Sequence, residues 1–252
     1  MKVLVCVKTA TGAAVGAEDA FQRGGRVGMA VLAESDAHAV EEALRIVERA
    51  GGGEIVAVAV APAEALGAVR EALALGAQRA VMLSDPALAA ADLLAVSRAL
   101  AALIAREAPD LSLACFWPGD IDGTMLWAAV AERLGRPVLT QARSLQLVEG
   151  RAIAQRQIEA GDITAAAPLP CLVEVTEAIN RPRYATAKGK IAAKGKPLQL
   201  LRLSDLGLSC DAGSRVVRLD RPPPRRRPEV LEDGAKAPER IVAFLAERRL
   251  LP

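Results

Sequence analysis

Four short apolar runs, interrupted only by Ser112, constrain this chain more than any other feature. They lie at residues 3–7, 55–60, 80–83 and 111–116, separated by longer stretches whose apolar residues recur at helical spacing. A run with no polar alternation suits a strand covered on both faces, the usual state in a parallel sheet. Between the first two runs, Val40, Ala43, Leu44 and Val47 mark a helix face, with Glu41 and Glu42 in its first turn and Ser35 or Asp36 placed to cap it. Leu66, Val69 and Leu73 mark the next helix, which Gly76 ends, and Leu93, Val96, Leu100, Leu103 and Ile104 mark a third. A fourth runs from about residue 124 to 134 and closes at Gly135. This βαβαβαβα rhythm predicts an α/β fold: a Rossmann-like parallel core sheet with helices on both faces.

From residue 138 the rhythm changes. Residues 138–148, 152–158 and 171–176 read as strands without intervening helices, and Glu149-Gly150 suits a hairpin turn. The sheet is therefore expected to continue with added antiparallel pairs. Residues 1–200 form the expected α/β nucleotide-binding-like domain. Residues 201–252 form a carboxy-terminal arm: a proline- and arginine-rich linker (RPPPRRRP), then a short helix with Ile241, Phe244 and Leu245 on one face. A helix that small cannot bury its own stripe, so it must dock on the body or on a partner.

Several function classes fall away. Aromatic residues make up 2% of the chain and the net charge is +2, which argues against nucleic-acid binding through stacking platforms or a basic field. No apolar stretch approaches the ~20 residues that span a bilayer, and the opening strand is too short for a secretory core. Cys6, Cys115, Cys171 and Cys210 form no CxxC pair, and buried reduced thiols in a cytoplasmic protein are expected. There is no G-x-G-x-x-G, P-loop or G-x-S-x-G, and no pair of carboxylates stands out as an acid–base couple. The single histidine, His38, reads as a surface residue. The chain is not expected to be an enzyme on its own.

In an open α/β sheet, ligands bind at the carboxyl ends of the strands. Of the segments there, residues 118–125, PGDIDGTM, are the most unusual. Asp120, Asp122, Gly123 and Thr124 stand between a strand and a helix, either as a loop whose amides hold a phosphate or as simple helix caps.

Residues 180–186, NRPRYAT, follow an LPCLVEV strand and precede KGKIAAKGKPL. This region resembles the signature of electron-transfer flavoprotein β (small) subunits, in which an LPxVxTV strand leads to N-x-PRY and a lysine-rich loop. MKVLVCVK, AVEEALRIVE and SDLGL are similar to the family's first strand, first helix and the start of its carboxy-terminal arm. The resemblance implies an α-subunit partner carrying most of the FAD contacts, a dehydrogenase donor, and a quinone reductase or other redox acceptor. It also implies a second nucleotide in the β subunit, AMP or a second FAD. Contacts to it would come from Cys6, Asp36, Val60, Ala61, Asp120, Asp122, Gly123, Thr124, Met125 and Leu126. Asn180, Pro182, Arg183, Tyr184 and Ala187 would serve the partner interface or merely hold a turn. Met125 and Trp127 replace a glutamine and a glycine of the family's loop, so weak or absent AMP binding is expected here. Ala187 stands where a leucine commonly anchors the partner dehydrogenase. A stand-alone adenine-nucleotide sensor and a structural β subunit without its own nucleotide remain as alternatives.

Overall fold

The computed structural model describes residues 1–11, 30–116, 123–215, 217–218, 230 and 234–251. The chain opens with β1 (Lys2–Cys6) and a small antiparallel pair, β2 (Thr9–Thr11) and β3 (Ala30–Leu32), followed by α1 (Glu34–Arg49). There follow β4 (Glu54–Val60), α2 (Leu66–Leu75), β5 (Arg79–Leu83), α3 (Leu93–Glu107), β6 (Leu111–Cys115) and α4 (Gly123–Leu134). Then come β7 (Val138–Ala142), β8 (Ser144–Val148), β9 (Arg151–Ile158), β10 (Gly161–Pro168) and β11 (Cys171–Val175). After α5 (Ala187–Gly195) and β12 (Leu198–Leu201), the last element is α6 (Ala237–Glu247).

Seven strands build one sheet in the order β12-β5-β4-β1-β6-β11-β7, with every pairing parallel. Period-two alternation gives each face its own core. Val3, Val5 and Val7 join Ile55, Leu113 and Val173 under α1 and α2, while Leu4 and Cys6 join Val58, Leu83 and Leu172 under α3 and α4. Of the strands expected to add antiparallel pairs, β11 and the first half of 138–148 (β7) instead join the main sheet in parallel, and the antiparallel pairing forms a separate sheet of order β10-β9-β8. Leu145, Ala152, Ala154 and Ala167 tie this small sheet into the α1 face of the core.

Residues 138–148 are two strands, not one. The break lies at Arg143, whose amide donates to Gln155 O (2.8 Å), just after Gln141 at φ +56°. Both halves are apolar, so composition concealed the change of sheet. Residues 187–195 form a helix where a lysine-dotted loop was expected. Thr186 Oγ1 caps its start by accepting from Gly189 N (3.0 Å), and Arg70 Nη1 donates to Ala193 O (2.7 Å) at its end. Helix α1 begins at Glu34 with Ala33 as N-cap, so Ser35 and Asp36 lie inside its first turn instead of capping it. Gly76 ends α2 at φ +148°, where a Cβ would lie 2.5 Å from the Leu44 side chain. No helix among the described residues is long and apolar enough to cross a membrane.

Met1–Leu219 and Asp220–Pro252 form two compact units. Leu201 and Leu203 are buried in the first, and Leu206, Leu208 and Cys210 pack partly against its core. In the second, α6 leaves Ile241, Val242 and Phe244 about half exposed, and the Arg248 guanidinium lies 3.8 Å from the Phe244 ring centroid.

Candidate functional site

Strand order reverses between β1 and β6, and the carboxyl ends of those strands are where an α/β sheet of this kind takes a ligand. Cys6 and Cys115 close the two strands on opposite faces, both 1% exposed, and burial pushes both thiols well up. Asp36, 2% exposed, accepts a hydrogen bond from Lys8 N through Oδ2. Its carboxylate sits in the first turn of α1, the position where a helix N-terminus favours an anion. Val60 and Ala61 end β4 half-buried, with Ala61 N committed to Leu83 O (3.1 Å).

On the other side of the crevice, Gly123 opens α4 and Thr124 lies in its first turn; Asp120 and Asp122 fall outside the described residues. Met125 is 64% exposed and Leu126 buried. The Trp127 indole is 2% exposed in the layer of Leu4, Cys6 and Val130, with Lys8 Nζ 5.8 Å from its ring centroid and no acceptor for Nε1 among the described residues. Of these side chains Met125 is exposed, while Leu126 and Trp127 are packed into the core. At α1, Asp36 puts a carboxylate rather than a phosphate donor into the first turn. The described part of the crevice therefore does not by itself fit AMP or a second FAD. Among the described residues no group of three or more His, Cys, Asp or Glu side chains is arranged to hold a metal.

Residues 180–186 leave β11 through the single turn Glu177–Ile179 and are tied to α1 by side-chain hydrogen bonds. Asn180 Nδ2 donates to His38 O (2.9 Å) and Glu42 Oε2 (3.2 Å), and its carbonyl lies 3.1 Å from His38 Nδ1. His38 is thus half-buried and engaged, contrary to its reading as a surface residue. Pro182 is half-buried, and Arg183 spans two acids of α1: Nε reaches Glu41 Oε2 at 2.7 Å and Nη1 reaches Glu48 Oε1 at 2.7 Å. Burial pushes the Glu41 carboxyl up, but the hydrogen bonds from Arg183 and Arg45 outweigh it and hold it below the usual carboxylate range. The motif's arginine is therefore spent within the chain.

Its tyrosine is not. Tyr184 is 95% exposed beside a cleft of ≈ 870 Å³ lined by Ala33, Glu34, His38, Glu71 and Lys190 among others, and Ala187 opens α5 on the surface. Glu41 and Glu42 escaped notice as site residues because a polar residue on a helix reads as solvated. The one available signal was the i,i+4 spacing of Glu41 and Arg45, which do pair at 2.9 Å.

Arg183→Ala should lower the stability of the isolated chain by about 2 kcal/mol at neutral pH. The effect is smaller than for a fully buried pair because the Arg183 side chain is 41% exposed. Glu41 has a depressed folded-state pKa, so its contribution is present at neutral pH and lost as pH falls through that value. Urea unfolding of both proteins should show the gap closing on acidification. A gap that persists unchanged at low pH contradicts this account.

Comparison with known proteins bears on this geometry. The sequence model of the electron transfer flavoprotein domain family matches residues 26–206. The electron transfer flavoprotein subunit beta of Mycobacterium leprae is 34% identical over 233 residues, covering 88% of each chain. That of Syntrophomonas wolfei is 30% identical over 249 residues, 98% of this chain and 95% of its own. The caffeyl-CoA reductase-Etf complex subunit CarD of Acetobacterium woodii is 36% identical over 183 residues, 72% of this chain and 70% of its own.

Proposed function

Because the chain belongs to the electron-transfer flavoprotein β-subunit family, we propose that it is the small subunit of a heterodimer shuttling electrons from a dehydrogenase to a redox acceptor. The FAD that carries those electrons is held mainly by the α subunit. The observation that carries this reading is the 180–186 segment: Arg183 locks it to α1 while Tyr184 stands 95% exposed at the edge of a cleft. A rigid backbone presenting a large exposed aromatic is what an interface anchor requires. FAD supplies the one- and two-electron chemistry. This chain's part is to present His38, Tyr184 and the neighbouring lysines of α5 to the flavin-bearing subunit and to the electron donor. The name of the Acetobacterium relative, a subunit of a reductase complex, favours a flavin-dependent dehydrogenase as that donor.

A second reading, a β subunit that holds no nucleotide of its own, is favoured by Asp36 and Trp127. One puts a carboxylate into the first turn of α1 and the other is built into the core.

Purification with a co-produced α subunit should give a one-to-one complex containing FAD. Removing residues 220–252, which carry the exposed Ile241, Val242 and Phe244, should weaken that complex by about a hundredfold. Titration calorimetry on the two forms measures the difference. A full-length chain that remains monomeric beside its α subunit at micromolar concentration refutes the heterodimer.

A further inference from the structure

Two carboxylates at the start of the α3 connection divide their oxygens in the same way. Asp85 Oδ1 accepts from Ala87 N (3.0 Å), capping a short 3-10 turn at Pro86–Ala90, while Oδ2 accepts from Leu203 N (3.2 Å). Asp92 Oδ1 accepts from Ala95 N (2.9 Å), capping α3. Its Oδ2 accepts from Gly213 N (2.8 Å), Ser214 N (2.9 Å) and Ser214 Oγ (3.2 Å). Arg98, one turn into α3, donates to Asp211 O. Between these two points Leu206, Leu208 and Cys210 lie partly buried on the core. A helix cap needs only one carboxylate oxygen. The second oxygen in each case goes to a segment more than a hundred residues away, shortly before the chain enters its second compact unit.

We propose that Asp85 and Asp92 are positioning residues that strap residues 203–214 to the body and so fix the point from which the carboxy-terminal arm reaches its partner. The proposal rests on the heterodimer reading above. An arm that started from a mobile tether would lose more freedom on docking, and the clasps remove that loss before the partner arrives. Charge-assisted acceptance by one carboxylate oxygen of two backbone amides and a hydroxyl is suited to hold such a strap. Burial by three apolar side chains secures its middle.

Asp92→Asn leaves one accepting oxygen where the carboxylate had two, because the amide NH2 group cannot accept from the backbone amides of Ala95, Gly213 or Ser214, so the clasp must share that oxygen with the cap. Trypsin cleavage of the full-length chain after Arg215 reports opening of the strap, because cleavage tracks the population of the open form. Asp92→Asn and, independently, Gly213→Pro should each accelerate it about three- to tenfold. Asp92→Asn should also weaken α-subunit binding about three- to tenfold in the full chain and leave it unchanged in a chain ending at residue 219. Unchanged cleavage in both variants overturns the clasp. Faster cleavage with unaltered binding, in a protein whose binding does depend on residues 220–252, overturns the positioning role. If removing 220–252 leaves binding unchanged, the arm's part in the heterodimer is what fails, and faster cleavage still supports the strap.

Discussion

Trp127→Gly should destabilise the chain by about 4–6 kcal/mol. Its indole is 2% exposed among Leu4, Cys6 and Val130, and emptying such a site typically costs about 3–5 kcal/mol, to which a glycine within α4 adds roughly 1. Trp127→Phe should cost less than about 1.5 kcal/mol, since it keeps most of the volume and removes an Nε1 donor that has no acceptor among the described residues. Urea unfolding of the three proteins checks the ranking. The same pair bears on the nucleotide question. Calorimetric titration with AMP at a temperature where each variant is folded should show no gain with phenylalanine. Tighter binding by the glycine variant would mean that the indole occupies a ligand's place; no gain in either would mean that it is a core residue and nothing more.

Raising the pH from 4.5 to 8 should cost the folded chain stability at Glu174, by up to about 3 kcal/mol from this group alone. Glu174 is 3% exposed near the carboxyl end of β11, opposite Ala114 on β6. Burial pushes its carboxyl up to about 7, against the smaller opposing effects of the Gln141 backbone N–H and the Lys8 charge. The sign follows from proton counting. Between the ordinary carboxylate pKa and about 7 the folded state holds a proton that the unfolded state has released, so stability falls as pH rises through that window and levels off above it. Glu174→Gln keeps an acceptor for Gln141 N and cannot ionise. It should flatten this part of the profile and be the more stable protein at pH 8. A wild-type profile that is already flat between pH 5 and 8, with no difference between the two proteins at pH 8, contradicts the assignment.

Glu174 also shows where sequence reading stops. The LPCLVEV run was readable as a strand, and so were the runs at 3–7, 55–60, 80–83 and 111–116, because an apolar segment bounded by turn residues has few other fates. A glutamate inside such a run carries no mark of whether it is buried, and its draw on Gln141 N, at a bulge between β11 and β7, is a tertiary event. Strand β10 was overlooked because GDITAAAP is mostly alanine, proline and glycine, and β12 because LQLL is too short to separate from the lysine-rich stretch before it. Of the candidate site, the NRPRYAT segment was conspicuous, but the division of labour within it was not. Arg183 faces inward to Glu41 and Glu48 and Tyr184 faces out, a split that depends on where α1 lies rather than on the motif itself.

The strand order carries a consequence for how the molecule is made. Both flanks of the parallel sheet are completed by late segments: β12 covers the edge of β5, and β7 joins only through β11, which is synthesised about thirty residues after it. A ribosome that has delivered the first hundred and forty residues therefore holds a half-sheet with two bare edges, at β5 and β6, and a β7 with nothing to pair to. At about 5–20 residues per second that state lasts for several seconds, open to pairing with any other extended chain. Until residue 201 has emerged, the nascent chain depends on being shielded rather than on its own fold.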